Sequence, residues 1–146
     1  LQPDPASTGP KQIVIMGSGD LGMSLATSLA ERGHLVRILD TDTEALDRCP
    51  RGLIGGGRVT PTIGDGTLEQ NLTKANIRAA HRFIAWCGSD ARNALAAQMV
   101  SLLFEVPLVI CRIDDIDRQE LYTGLGIVAI SATALVRDMV LEAAGR

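Results

Sequence analysis

Aromatic residues are scarce in this chain: 3% of its 146 residues, with one Trp, one Tyr and two Phe. Readers of single-stranded nucleic acid need aromatic platforms beside a basic groove. This sequence has a net charge of -3, no cluster of Lys and Arg and no aromatic ladder, so nucleic acid is excluded as an expected partner. Long hydrophobic runs are also missing. Hydrophobic residues make up 46% of the chain, yet no run approaches the roughly 18 residues that a bilayer crossing needs, and a soluble domain is expected. The cysteines, Cys49, Cys87 and Cys111, are odd in number and too widely spaced for a Cys-x-x-Cys metal knuckle. That fits a reduced, cytosolic setting and gives no reason to expect a metal.

A chain of this length supports about one domain, with one core burying roughly two thirds of the unfolded surface. Residues 1–11 carry Pro3, Pro5 and Pro10 among small and polar neighbours and read as a linker or an added tail. Neither a basic start nor an apolar stretch precedes Lys11, which argues against a signal peptide. The chain begins at Leu1 rather than Met, so it reads as part of something longer.

From Gln12 onward, short β-branched runs alternate with longer segments of helical period, the signature of parallel strands joined by helical crossovers. Six strands are expected: 13–16, 35–39, 59–63, 83–86, 108–111 and 127–130. Most are apolar on both faces, as strands covered by helices on each side must be. The expected fold is α/β: a Rossmann-type, doubly wound parallel sheet of order 3-2-1-4-5-6 over residues 12–146, with helices on both faces.

Leu21, Leu25 and Leu29 recur every fourth residue, with Ala26 and Ala30 on the same stripe, predicting an amphipathic helix from Asp20 to Arg32 that stops at Gly33. The segment from Ser89 to Phe104 is apolar on nearly every side. Such a helix needs two covers, and the second is either a partner subunit or the last helix of the same chain. Cys49–Arg58, with Pro50 and four glycines, is expected to be an irregular connection.

The strand at 13–16 runs directly into Gly17-Ser18-Gly19-Asp20-Leu21-Gly22 and then into a helix, which is the context a dinucleotide fingerprint requires. Gly17 permits the tight turn, Gly19 lets main chain approach a pyrophosphate, and Gly22 allows helix and strand to pack closely. The phosphates then lie at the positive end of the helix. Asp40 ends the second strand, eighteen residues after Gly22, where a carboxylate can accept hydrogen bonds from both ribose hydroxyls. That favours NAD over NADP, whose 2′-phosphate would meet a like charge. The alternative for this stretch is a helix cap, with Thr41 and Asp42 starting the next helix. Asp65 and the exposed backbone of Gly66 can read an adenine edge, with Thr67 capping the helix that follows. Cys87, Gly88 and Ser89 form a turn at the same sheet edge, where backbone amides can meet the second half of a dinucleotide. Arg112 can face a phosphate or a neighbouring subunit, or pair with Asp114, Asp115 or Asp117, acids that a helix's first turn explains.

These residues make the chain resemble the regulator-of-conductance-of-potassium (RCK) domain, also called the Trk-type or TrkA N-terminal nucleotide-binding domain. The resemblance runs from about Gln12 to Ala144. It rests on the glycine loop, on Leu39-Asp40, on Ile63-Gly64-Asp65-Gly66-Thr67, on Asn93 to Gln98, on Cys111-Arg112-Ile113 and on Ile130 to Val136. It implies a non-enzymatic, ligand-controlled switch at the cytoplasmic face of the cell membrane. NAD(H) or an adenine nucleotide would bind in the cleft, subunits would pair into a homodimer or ring, and a potassium channel or transporter subunit would be gated. By matching position, Gly17, Ser18, Gly19, Asp20 and Leu21 would hold phosphates, Asp40 and Thr41 the ribose, Asp65 and Gly66 the adenine, and Cys87 to Ser89 the far side.

Two departures from that family matter. Asp20 stands where members that grip a triphosphate tend to offer arginine, so NAD, AMP or ADP is expected ahead of ATP. The chain also ends at Arg146, without the smaller C-terminal subdomain of many members. The competing reading is the cofactor-binding fragment of an NAD-dependent oxidoreductase, which needs an acid or base beside the nicotinamide. His34 and His81 both precede strands and are expected roughly 17 Å away, at the opposite sheet edge.

Overall fold

The computed structural model describes residues 9–145, so most of the expected linker lies outside the described residues. The elements run β1 (Gln12–Met16), α1 (Asp20–Glu31), β2 (Leu35–Asp40), α2 (Thr43–Leu46), α3 (Arg51–Gly55), β3 (Val59–Ile63), α4 (Glu69–Lys74), a 3-10 turn at Ile77–Ala79, β4 (Arg82–Ala85), α5 (Asp90–Leu103), β5 (Leu108–Arg112), α6 (Ile116–Gly124), β6 (Val128–Ile130) and α7 (Ala132–Ala143). All strand pairs are parallel, and the sheet order is β3-β2-β1-β4-β5-β6. This is the doubly wound, Rossmann-type sheet that the alternation of runs predicted.

Parallel register places Ile15, Ile38 and Ile84 on one face and Val14 and Phe83 on the other. On the first face, Ile13, Ile15, Val36, Ile38 and Ile84 pack with Ala26 and Ala30 of α1 and Leu46 of α2. On the second, Val14, Phe83, Val109 and Cys111 pack with Leu72 of α4, Ala94, Ala97 and Val100 of α5, and Tyr122 of α6. Each large apolar side chain buried here contributes about 1.5–3 kcal/mol.

The buried stripe of α1 is Gly22, Ala26 and Ala30, while Leu25 and Leu29 are only partly buried beside it and Leu21 is 47% exposed. The leucine period found the helix but pointed it slightly wrong. Small residues face the sheet because they bring the helix axis close to it. Cys49–Arg58 is also more ordered than expected, since Pro50 starts the short helix α3; its fixed φ suits the first turn of a helix.

In α5 the buried side comprises Asn93, Ala94, Ala96, Ala97 and Val100, while Leu95, Leu102 and Leu103 are exposed. The last helix does not supply its second cover, for α7 buries none of its own residues. Ile110 and Val128, which share a face by register, are only half-buried. The Trp86 indole Nε1 on that same side is buried with no hydrogen-bond partner.

Candidate nucleotide-binding site

The glycine loop crosses the carboxyl edge of the sheet at β1, flanked by β2 on one side and β4 on the other. The strand order reverses here, and open α/β sheets present their crevice at such a point. Gly17 has φ +112°, and a Cβ there would lie 2.4 Å from the Trp86 carbonyl oxygen; at Gly22 a Cβ would lie 2.0 Å from the Gly17 oxygen. Both positions are closed to any side chain. A Cβ at Gly19 would meet nothing within 4 Å, so this side of the loop is open to an approaching ligand. Gly19 is the N-cap of α1 and offers no side-chain cap, which leaves the first N–H groups of the helix facing outward.

Asp40 is tied to that loop. Its Oδ2 accepts hydrogen bonds from both the backbone N–H and the hydroxyl of Ser18, each at 2.7 Å. Its Oδ1 accepts from the Asp42 N–H at 2.9 Å. Burial pushes the Asp40 carboxyl up, but the hydrogen bonds from Asp42, Ser18 and Thr41 outweigh it and hold the group below its ordinary value. The helix-cap alternative for this stretch belongs to Asp42, whose side chain accepts from the N–H groups of Glu44 and Ala45. Asp40 stays at the loop as an ionised acceptor, and Thr41 is exposed beside it.

The turn after β3 differs from expectation in two respects. Gly66 is buried rather than exposed, and a Cβ there would lie 2.3 Å from the Met16 sulfur; glycine is needed for packing on β1. Thr67 does not cap α4, whose N-cap is Leu68 without a side-chain bond. Instead the Thr67 N–H and hydroxyl both donate to Asp65 Oδ1, at 2.9 and 2.7 Å, and Arg92 of α5 reaches the same oxygen at 2.8 Å. The Thr67 bonds, helped by the Arg92 charge, hold the Asp65 carboxyl below its ordinary value. The Asp65–Arg92 pair links the loop after β3 to the start of α5.

Ser89 caps α5 through its hydroxyl, accepting from the Arg92 N–H at 3.3 Å, and Gly88 is exposed before it. The turn is shaped from below by Asn93, which is fully buried. Its amide oxygen accepts from the Cys87 N–H at 2.9 Å, and its amide nitrogen donates to the carbonyls of Cys87 and Arg112 at 3.0 and 3.1 Å. One side chain thereby joins the ends of β4 and β5 and leaves none of its polar atoms unpaired.

Arg112 pairs with Asp114 at 2.9 Å, the acid-pairing alternative for that residue. Asp114 in turn accepts from the Thr133 N–H. Burial raises its carboxyl, and the bonds from Arg112 and Thr133 bring it below its ordinary value. Asp90 accepts the N–H groups of Asp114 and Asp115, and Asp115 caps α6, so these acids serve the backbone. Cys111 is buried; burial first, and then the Asp90 carboxylate, push its thiol up to about 11. At the opposite edge, His34 and His81 each accept a backbone N–H on Nδ1, from Lys11 and Gln12 at 2.9 Å.

Sequence reasoning overlooked Arg48, Arg92 and Asn93. Arg48 follows α2 and places Nη1 3.6 Å from Asp20 Oδ1. Asn93 lies in the segment that carried the RCK resemblance, but periodicity treats a polar residue within a helix as solvent-facing. The arginines are joined to Asp20 and Asp65 across 28 and 27 residues, a separation that no local pattern reveals.

The family profile of the TrkA-N domain matches residues 13–133. The Trk system potassium uptake protein TrkA of Streptomyces coelicolor is 36% identical over 130 residues, covering 89% of this chain and 56% of that protein. The chain therefore spans about half the length of the curated relatives it matches. Among solved structures, the Kef CTD of Shewanella denitrificans in AMP-bound form superposes with a TM-score of 0.71 at 16% identity, covering 92% of this chain and 82% of that one. The GsuK channel bound to NAD superposes with a TM-score of 0.69 at 21% identity, over 88% of this chain and 23% of that one. With its sheet order, its glycine loop and its acid at the end of β2 in place, the chain belongs to the TrkA-N domain family.

Proposed function

We propose that this chain is a ligand-sensing regulatory domain that binds NAD(H), or failing that AMP or ADP, and controls potassium transport through a membrane partner. The observation that carries the reading is Asp40, held ionised against the glycine loop by Ser18 at 2.7 Å, beside the open backbone of Gly19. A ribose laid over β2 meets that carboxylate, and its phosphates meet the N–H groups at the start of α1. Asp65 and Thr67 line the adenine side, and Cys87, Gly88 and Ser89 the far side. Two structural neighbours are described with NAD and AMP, which supports this choice of ligands. NAD would supply a bound signal here, with no hydride transfer required of it.

A dehydrogenase fragment is the weaker reading. Both histidines lie at the sheet edge opposite the loop, with Nδ1 already engaged by backbone, so neither can act on a nicotinamide.

Action on a membrane partner requires coupling, and the apolar surfaces support a homo-oligomer as its vehicle. Leu135, Val136, Met139, Val140 and Leu141 of α7 are 52–71% exposed, a patch that marks an interaction site. A second copy of the chain can cover it together with the half-buried face at Ile110 and Val128. The domain would lie at the cytoplasmic face of the membrane beside that partner; among its described residues no helix is long and apolar enough to cross a membrane.

Calorimetric titration with NADH, NAD, AMP, ADP and ATP tests the reading. Saturable binding of one of them, without turnover of added alcohols or hydroxy acids, is the expected result. Absence of binding by all five overturns it and leaves an assembly module.

A further inference from the structure

The phosphate side of the site carries two opposite charges that fold stability does not explain. Arg48 and Asp20 form an ion pair at 3.6 Å with side chains 62% and 102% exposed, and pairs so open to solvent contribute little to stability. The same two residues line a cleft of about 350 Å³ with Ser18, Gly19, Ser24 and Thr27. That cleft begins at the glycine loop and follows the exposed side of α1. Among the described residues Arg48 is the only cation lining it, and Asp20 is the first residue of α1.

We propose that Arg48 is the phosphate-recognising cation of this site and that, balanced by Asp20, it sets how many phosphates the ligand carries. The inference rests on the nucleotide-site reading above. In the free chain the guanidinium is occupied by one carboxylate. A pyrophosphate seated at the N–H groups of Gly19 and Asp20 presents more charge and several acceptor oxygens, and a guanidinium can engage these in a planar, two-pronged fashion. Arg48 then exchanges Asp20 for phosphate. The Asp20 carboxylate stays at the mouth of the cleft, where it repels each further phosphate. Attraction from one side chain and repulsion from its neighbour favour a ligand with two phosphates, as in ADP or a dinucleotide. A monophosphate does not reach far enough to use Arg48 fully, and a triphosphate brings its last group against Asp20.

The test is titration of the 146-residue chain and its Arg48→Gln, Arg48→Lys and Asp20→Asn variants with AMP, ADP, ATP and NAD. Arg48→Gln should weaken ADP and NAD about tenfold, the scale of one charged hydrogen bond, and AMP by no more than about twofold. Arg48→Lys should recover part of the ADP loss. Asp20→Asn should tighten ATP about tenfold while changing AMP little. If Arg48→Gln leaves all affinities unchanged, or weakens all of them equally, the inference is overturned while the nucleotide site stands. If the unaltered chain binds no nucleotide, the site reading falls and this inference falls with it.

Discussion

Two helices of twelve residues, α1 and α7, each follow a strand of the same sheet and each carry an apolar stripe. Their outcomes differ. In α1 the stripe of Gly22, Ala26 and Ala30 is buried, because the crossover from β1 to β2 lays it across the sheet and both ends are tied down. In α7 no residue is buried, although Leu135, Val136, Met139 and Val140 lie on it. No strand follows α7 among the described residues to pull it across the sheet. An amphipathic pattern thus states that a face must be covered without naming the cover. For α1 the cover is the chain's own sheet; for α7 it is, under the proposed function, a second copy.

The sharpest way to break that comparison is to place a charge on each stripe. Ala26→Asp buries an unpaired carboxylate where Ala26 is 0% exposed and should cost about 3–5 kcal/mol, read as a lowered Tm or failure to fold. Met139→Asp, at a position 71% exposed, should change the stability of the fold by under about 0.5 kcal/mol and reduce self-association in sedimentation. A large stability loss from Met139→Asp would show that α7 packs within its own chain.

The remaining predictions concern how α1 is anchored. Gly22→Ala puts a methyl group 2.0 Å from the Gly17 oxygen, so helix and loop must separate. A loss of about 1–3 kcal/mol in chemical denaturation is expected, together with weaker nucleotide binding. Asp40→Ala removes the tether to Ser18 and the ribose acceptor at once, and should weaken NAD or AMP by roughly 1 to 3 kcal/mol in calorimetry. Unchanged affinity would remove Asp40 from the site.

The smallest effect is expected from pH. Burial, and then the charges of Arg82, Arg32 and Lys11, hold the His34 imidazole below its ordinary value of 6.5. A depressed value means that the unfolded chain binds the proton first. The small contribution of His34 is therefore complete above about 6.5 and lost as pH falls through the folded value. The carboxyls of Asp40 and Asp65 follow at lower pH, their contribution complete above the ordinary 3.8 and lost below it. His34→Gln should flatten the first step in thermal denaturation measured against pH. A slope that survives this change would assign the step elsewhere.

Much of the fold was legible because its signals are local. A β-branched run, a glycine loop opening a helix and an acid at the end of the next strand are read within about thirty residues, and the family motifs confirm their order. Gly17, Gly22 and Asp40 stand where spacing placed them. The readings that failed share a different character. Residue type suits Thr67 to a helix cap, but its hydroxyl bonds the Asp65 carboxylate instead. Gly66 was expected to be exposed, yet Met16 from a distant strand occupies the space beside it. Arg112 is a different case: residue type leaves it open to a phosphate, a neighbouring subunit or the acids that follow, and the fold pairs it with Asp114.

Periodicity, backbone freedom and residue type are enough to set the alternation of strands and helices, the position of the glycine loop and the sign of charge at β2. Which groups meet across the chain is a matter of packing: Asn93 beneath the Cys87 turn, Arg92 on Asp65, Arg48 on Asp20, and the bare stripe of α7. Such contacts depend on how separate elements pack at the carboxyl edge of the sheet, and residues so far apart in sequence are brought within hydrogen-bond reach only when the crossovers close.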